Sequence, residues 1–346
     1  MVSLATLVLP TPGLRSPSPD LPYVPSPTFL TPDDARIDVS DYATITERSP
    51  TKLRFLRPIS DGNNYQNCSP GSRARIRTDA TAITWTVYYN GLVTRLGARN
   101  FTAVVLVDGA VSGTFTNPNG ETAVATVVYT LNLPSATMRT VELIWPYGDG
   151  VDLLSIEVNS GANFETPAAR PSAILALQGD SITHGFAATK TTDTWAYKLA
   201  VAKGRRLLNE ANGSNTAVAS QATALAGSGA DRVVYMIGYN NFVAQTALAT
   251  FQAAVEGWIN NAESALPSAK IYVVSPLYSP NTNTITLAQY RTSVQSAVTA
   301  AGGANVTYVN GLSIMTNSAD RLADTIHPND LGASEVVNGL IPIVAT

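Results

Sequence analysis

Two hydrophobic rhythms divide the chain. From about residue 36 to 165, apolar positions alternate with polar ones. In "ITWTVYYN", Ile83, Trp85, Val87 and Tyr89 fall on one face and Thr84, Thr86 and Tyr88 on the other. That period of two predicts a half-buried strand. "FTAVVLVDGAVSGTF" is two strand-like runs around an Asp-Gly pair, the signature of a hairpin. "TAVATVVYTLNL", "TVELIWPY" and "LLSIEV" follow, separated by Gly, Pro, Asn and Asp clusters. Short strands with turn signals and no convincing helix predict an antiparallel β-sandwich.

After about residue 170 the rhythm changes. The runs "AILALQG", "RVVYMIG", "KIYVVSPL" and "VTYVNGL" are continuously apolar, as strands buried on both faces are. Helical spacings lie between them. Phe251, Val255, Trp258 and Ile259 fall at i, i+4, i+7 and i+8, and Tyr290, Val294 and Val298 at i, i+4 and i+8. Strands alternating with helices predict a parallel sheet covered on both sides. In such sheets ligands bind beyond the carboxyl ends of the strands, so the residues just after each apolar run are the ones to inspect.

Ahead of both regions, residues 1–35 carry eight prolines. Proline removes backbone donors and favours extended chain, which predicts an arm that, if ordered, lies against a domain surface. The expected organisation is therefore an arm over 1–35, a sandwich over 36–167 and an α/β domain over 168–346. A chain truncated to begin near 168 is expected to fold on its own.

Charge and cysteine narrow the chemistry. Lys and Arg number 22, Asp and Glu 25, and the net charge is −3. With no basic stripe, nucleic acid is not an expected partner. No apolar run reaches the ~18 residues of a membrane span. The opening "MVSLATLVLP" lacks a basic segment before it, so it makes a poor secretory signal. The compartment stays open, with an extracellular or particle-associated setting favoured. A single cysteine, Cys68, cannot form an intrachain disulfide and reads as a surface or half-buried thiol. Two histidines far apart show no metal-ligand spacing, and no phosphate-binding glycine loop is present. No metal or cofactor is expected.

The loops after the apolar runs carry the chemistry. "AILALQG" leads into "GDSITHG", with Asp180, Ser181 and His184; a further run, "RRLL", continues into "NEANGSNT", with Gly213 and Ser214; "RVVYMIG" ends in "GYNN", with Tyr239, Asn240 and Asn241. Near the C-terminus, "LADTIHPNDLG" supplies Asp324 and His327. A serine hydroxyl is a weak nucleophile until a base takes its proton. His327 is suited to that role near neutral pH, and Asp324, three residues earlier, can accept from the other ring nitrogen and fix the tautomer. The oxyanion of acyl transfer needs donors set in advance. The Ser181 amide, an amide near Gly213 and the Asn240 side chain are candidates. His184, three residues past Ser181, and Asp180 read as lining or orienting groups.

These blocks, in this order, resemble the SGNH (GDSL-type) hydrolase family over roughly residues 172–346. The resemblance implies a flavodoxin-like, doubly wound sheet of five parallel strands and metal-free ester hydrolysis. It implies Ser181 as nucleophile, His327 as base, Asp324 as its orienter and Asn240 as an oxyanion donor. Two positions depart from the family pattern. Ser214 stands at the strict match of the second block with Gly213 one position earlier, and Asn241 stands where the third block usually carries Asp. A jelly-roll-like sandwich ahead of such a domain is similar to two-domain carbohydrate esterases, by architecture rather than motif. On that likeness Trp145 and Tyr147 in "IWPYGDG", together with Tyr239 and His184, are candidates for substrate contact.

The expected function is a serine esterase that removes small acyl groups, acetyl foremost, from an acylated carbohydrate. An esterase or lipase for free small esters is the first alternative. A carbohydrate-binding or particle-surface protein whose hydrolase site has decayed is the second.

Overall fold

A computed structural model of the chain describes residues 28–39, 45–57, 68, 70–91, 101–120 and 123–345. The first half is all strand: β1 (Thr28–Leu30), β2 (Ile45–Ser49), β3 (Lys52–Phe55), β4 (Arg73–Thr78), β5 (Ala82–Tyr89), β6 (Thr102–Val107), β7 (Ala110–Thr116), β8 (Ala125–Asn132), β9 (Arg139–Ile144), β10 (Val151–Val158) and β11 (Phe164–Glu165). They make two antiparallel sheets. One runs β2-β3-β10-β5-β8, with β1 also paired to β10, and the other runs β11-β4-β9-β6-β7. Leu53, Trp85 and Ile156 from the first share one apolar core with Ile76, Val104 and Leu143 from the second. The face of β5 picked out by its alternation, Ile83, Trp85, Val87 and Tyr89, is the buried one.

The β6–β7 hairpin turns on Asp108 and Gly109, both at positive φ (48° and 83°). That is the backbone a two-residue turn between twisted strands requires. Most of the proline-rich arm lies outside the described residues. Its Thr28–Leu30 stretch forms a three-residue strand, Thr28 opposite Val158, and so belongs to the sheet.

The second half comprises β12 (Ile174–Gly179), α1 (Ser181–His184), α2 (Trp195–Ala202), β13 (Arg206–Asn209), β14 (Arg232–Met236), α3 (Tyr239–Val243), α4 (Leu248–Ala265), β15 (Lys270–Val274), α5 (Leu287–Ala301), β16 (Val306–Val309) and α6 (Asp330–Leu340). The sheet order is β13-β12-β14-β15-β16, and every pairing is parallel. This is the doubly wound, flavodoxin-like order. The chain reverses direction across the sheet between β12 and β14, which opens a crevice at their carboxyl ends. Phe251, Val255, Trp258 and Ile259 of α4 and Tyr290 and Val294 of α5 are buried against it, as their spacing requires. A Thr286–Gln289 capping box starts α5, and Gly302 in the left-handed region ends it.

The two halves meet over a buried surface. Tyr147 Oη donates to Ala188 O (2.9 Å) and Thr191 Oγ1 to Trp145 O (2.9 Å). The Arg73 guanidinium lies 5.5 Å from the centre of the Tyr197 ring. Gly71, at φ +86°, approaches Leu207 so closely that a Cβ would stand 2.8 Å from its Cδ2. Cys68 is fully buried rather than on the surface. Among the described residues no helix is long and apolar enough to cross a membrane.

Candidate active site

The nucleophile candidate is set by the end of β12. Gly179 has φ +154°, and a Cβ there would lie 2.2 Å from Met236 O on the neighbouring strand, so only glycine lets β12 finish against β14. Asp180 then caps α1, its Oδ1 accepting from the Ile182 amide at 3.0 Å. Burial pushes the Asp180 carboxyl up to about 7, against the opposing pull of the Ile182 amide and its own. Ser181 becomes the first residue of α1, with its side chain at the crevice.

His327 and Asp324 come from the loop before α6. Asp324 Oδ1 accepts from the amides of Ile326 (2.6 Å) and His327 (2.7 Å), which folds the three-residue spacing into a tight turn. Its Oδ2 lies 2.8 Å from His327 Nδ1. The loop is closed at its base by the Ala323 amide donating to His327 O and the Leu322–Pro328 bridge. His327 Nε2 then sits 2.8 Å from Ser181 Oγ. Burial raises the Asp324 carboxyl, but the His327 ring and the two amides outweigh it, and its pKa lies below the ordinary carboxylate value. An ionised Asp324 favours the tautomer with hydrogen on Nδ1, which leaves Nε2 to accept from Ser181. The Phe186 ring lies against the imidazole, centroids 4.4 Å apart.

The oxyanion candidates gather on the loops after β13 and β14. Gly238 precedes α3 at φ +120°, with Phe251 and Pro276 3.0 Å from where a Cβ would stand. Asn240 follows in the first turn. Its Nδ2 spends one hydrogen on Asn215 O (2.8 Å) and carries a second. Asn215 Nδ2 and the Asn212 amide both donate to Gly179 O at 3.1 Å. The segment holding Gly213 and Ser214 is thereby tied to the nucleophile strand and to Asn240. Ser214 is at positive φ (62°) and exposed. Asn241, at the family's usual aspartate position, accepts from the Ala217 amide through Oδ1 at 3.0 Å. An amide oxygen serves that loop contact as a carboxylate oxygen would.

Three of the four expected substrate contacts are buried. Trp145 is 1% exposed, edge-on to Phe55, with Nε1 donating to Val151 O. It is a core residue, because the "IWPY" turn folds inward over the junction of the two halves. Tyr147 is likewise 1% exposed. His184 is fully buried, Nδ1 3.0 Å from Ala211 O and Nε2 2.6 Å from Tyr147 O. The fourth, Tyr239, is largely buried, but it borders a cleft of about 450 Å³ with Phe242, Val243, Asn281 and Asn283. Its hydroxyl accepts from Asn281 Nδ2 (2.7 Å), which also donates to Thr325 Oγ1 beside Asp324. Among the described residues no three His, Cys, Asp or Glu side chains gather as a metal site. Sequence reasoning missed Phe186, Asn215, Asn281 and Arg57, whose parts depend on contacts that no local pattern announces.

Residues 177–334 match the model of the GDSL-like Lipase/Acylhydrolase family. A search of curated proteins finds no match. Among solved structures, a salicylyl-acyltransferase from a tetracycline biosynthetic pathway is 21% identical, with 90% of this chain and 95% of that one covered and a TM-score of 0.76. A family two carbohydrate esterase from Cellvibrio japonicus is 15% identical over 92% of this chain and 96% of that one, TM-score 0.69. An acetyl xylan esterase from the rumen bacterium Butyrivibrio proteoclasticus is 11% identical over 91% and 97%, TM-score 0.64. At these identities the likeness is one of fold, and it takes in the sandwich as well as the α/β sheet. The sequence blocks, the parallel sheet that carries them and the family match converge on one likeness: over residues 177–334 the chain is similar to the GDSL-like lipase/acylhydrolase family.

Proposed function

We propose that the protein is a serine esterase that removes small acyl groups, acetyl foremost, from a carbohydrate by a Ser-His-Asp mechanism. The observation that carries this reading is the continuous chain from Ser181 Oγ to His327 Nε2 and from His327 Nδ1 to Asp324 Oδ2, 2.8 Å at each step. We further take residues 1–35 as an arm, 36–167 as the sandwich domain and 168–346 as the hydrolase domain.

In the proposed reaction Ser181 Oγ bonds to the ester carbonyl carbon as its proton passes to His327 Nε2. The carbonyl electron pair moves onto oxygen. That oxyanion is met by the Ser181 amide, the second Asn240 amide hydrogen, and the Gly213 or Ser214 amide. When the oxyanion collapses, the carbon–oxygen bond to the alcohol breaks and the alcohol takes the proton from Nε2. Water then repeats the sequence on the acyl-enzyme, and acid and free Ser181 result. Asp324 holds the ring and offsets its positive charge throughout.

The carbohydrate assignment draws on the esterase neighbours of similar fold and on the cleft bordered by Tyr239, Asn281 and Asn283 beside the Asp324 loop. The burial of Trp145 removes one aromatic platform for a sugar ring and favours a second reading, an esterase for free small esters. Hydrolysis of acetylated oligosaccharides, set against nitrophenyl esters of rising chain length, decides between them. A steep fall beyond propionyl together with release of acetate from the oligosaccharide supports the carbohydrate reading. Activity on the nitrophenyl esters alone supports the other.

A further inference from the structure

The loop that holds Gly213 and Ser214 is gripped from the sandwich. Arg57 follows β3 and is 3% exposed. Its Nη1 donates to the carbonyl oxygens of Asn209 (3.2 Å) and Ala211 (2.6 Å), and its Nη2 to Asn212 Oδ1 (3.1 Å). Ala211 O also faces His184 Nδ1, and the other nitrogen of that ring faces Tyr147 O in the sandwich. Ala211 and Asn212 directly precede Gly213 and Ser214. On the far side of those two residues the loop is tied to Gly179 and Asn240 through Asn215.

A buried guanidinium is strongly disfavoured unless its N–H groups are hydrogen-bonded. Its planar fork can hold several acceptors in one geometry, which a lysine cannot reproduce. An oxyanion donor acts only if it is already aimed before charge develops, and a misplacement of about 1 Å can slow a reaction about 10²-fold. The strand end at Asn209 and the turn at Ala211–Asn212 set the direction of the next two amides. Arg57 therefore acts on the reaction centre without touching it.

We propose that Arg57 is a positioning residue for the oxyanion hole: its guanidinium fixes the Asn209–Asn212 backbone, so the sandwich sets where the Gly213 or Ser214 amide points. This rests on the serine-esterase reading above and extends it to the N-terminal domain.

The test uses the full chain, p-nitrophenyl acetate as substrate, and a small alkylboronic acid as inhibitor. The tetrahedral boronate on Ser181 is an anion that places a boron-bound hydroxyl oxygen where the oxyanion forms. In Arg57→Ala, kcat is expected to fall about 10- to 100-fold, somewhat less than deletion of a donor itself causes, with KM within about threefold. Boronate affinity should weaken by a similar factor, Arg57→Lys should lose less, and added guanidinium should restore part of the Arg57→Ala rate. A folded Arg57→Ala protein with wild-type kcat overturns the proposal, as does a fall in kcat with boronate affinity unchanged. If Arg57→Ala does not fold, the same two measurements on Arg57→Lys decide. A wild-type rate no greater than that of Ser181→Ala is a different result, and it would sink the serine-esterase reading itself.

Discussion

The Phe186 ring lies against that of His327, centroids 4.4 Å apart and planes inclined by 32°. The two nitrogens of His327 already face Ser181 and Asp324, so Phe186 adds a constraint from one face of the ring. Such a ring contact contributes about 0.5–1.5 kcal/mol, which corresponds to a few-fold to tenfold in rate if it is lost only in the productive geometry. Phe186→Ala should lower kcat by about that factor, with Phe186→Leu in between. Steady-state kinetics on a nitrophenyl ester checks this. An unchanged kcat would mean that the two hydrogen bonds alone hold the ring.

The two histidines should separate by what their removal damages. His327→Ala removes the proposed base, and kcat should fall by about 10³ or more with little change in Tm. His184→Ala removes the ring whose two nitrogens face the buried Ala211 and Tyr147 carbonyls. Leaving a buried acceptor unmet costs about 1–3 kcal/mol, so Tm should drop by several degrees. Arg57 still holds Ala211 in that variant, and kcat of the folded protein should stay within about tenfold of wild type. Equal loss of kcat in both variants would make His327 the wrong choice of base.

Much of this arrangement is legible in the sequence, and the exceptions have physical causes. Ser181 and Asn240 stand in short blocks after apolar runs, and strand ends of a parallel sheet bring such blocks together; Asp324 and His327 stand in a short block of their own in the loop before α6. β4 is the opposite case. "RARIRT" carries three arginines and does not look like a buried strand. It is one because Arg73 pairs with Glu142 (2.9 Å), Arg75 with Asp38 and Arg77 with Glu165 (2.8 Å), carboxylates distant in sequence. Arg57 is hidden for the same reason, since its partners lie 152 to 155 positions away. Trp145 is legible as an aromatic, but its turn packs it against Phe55, a partner distant in sequence that no local pattern announces. Periodicity reports which face of an element is buried, and it carries no record of what buries it.

Asp180 should make stability depend on pH. Its folded-state carboxyl titrates at about 7, against about 3.9 when unfolded. Between those values the folded protein holds a proton that the unfolded chain has released. The stability it contributes is therefore fully present below about pH 4 and is lost as pH rises through about 7. Asp180→Asn keeps an oxygen for the Ile182 amide and cannot ionise. Urea unfolding from pH 4.5 to 8 should show the variant gaining on wild type as pH rises. The gain should reach a few kcal/mol, since each tenfold difference in proton affinity between the two states is worth about 1.4 kcal/mol. Parallel stability curves would show an ordinary, ionised carboxylate at Asp180.

A chain cut to residues 168–346 is the sharpest test of how independent the second domain is. Its change of hydrophobic rhythm suggests a free-standing unit, and its sheet and helices are complete without the sandwich. The junction argues the other way. Removing the sandwich uncovers Leu207, which Gly71 touches, and the Tyr197 ring under Arg73. It also strips Ala211 of its Arg57 donor and His184 of its Tyr147 acceptor. The first pair are apolar groups returned to water, at about 25 cal/mol per Å². The second pair leave buried polar groups unmet at the turn before Gly213. Stability loss and misaimed amides should therefore arrive together. The cut chain should bind a hydrophobic dye, aggregate on concentration, and label with a fluorophosphonate far more slowly than the full chain. A soluble monomer that labels at the full-chain rate would show that the sandwich neither covers nor aligns the site.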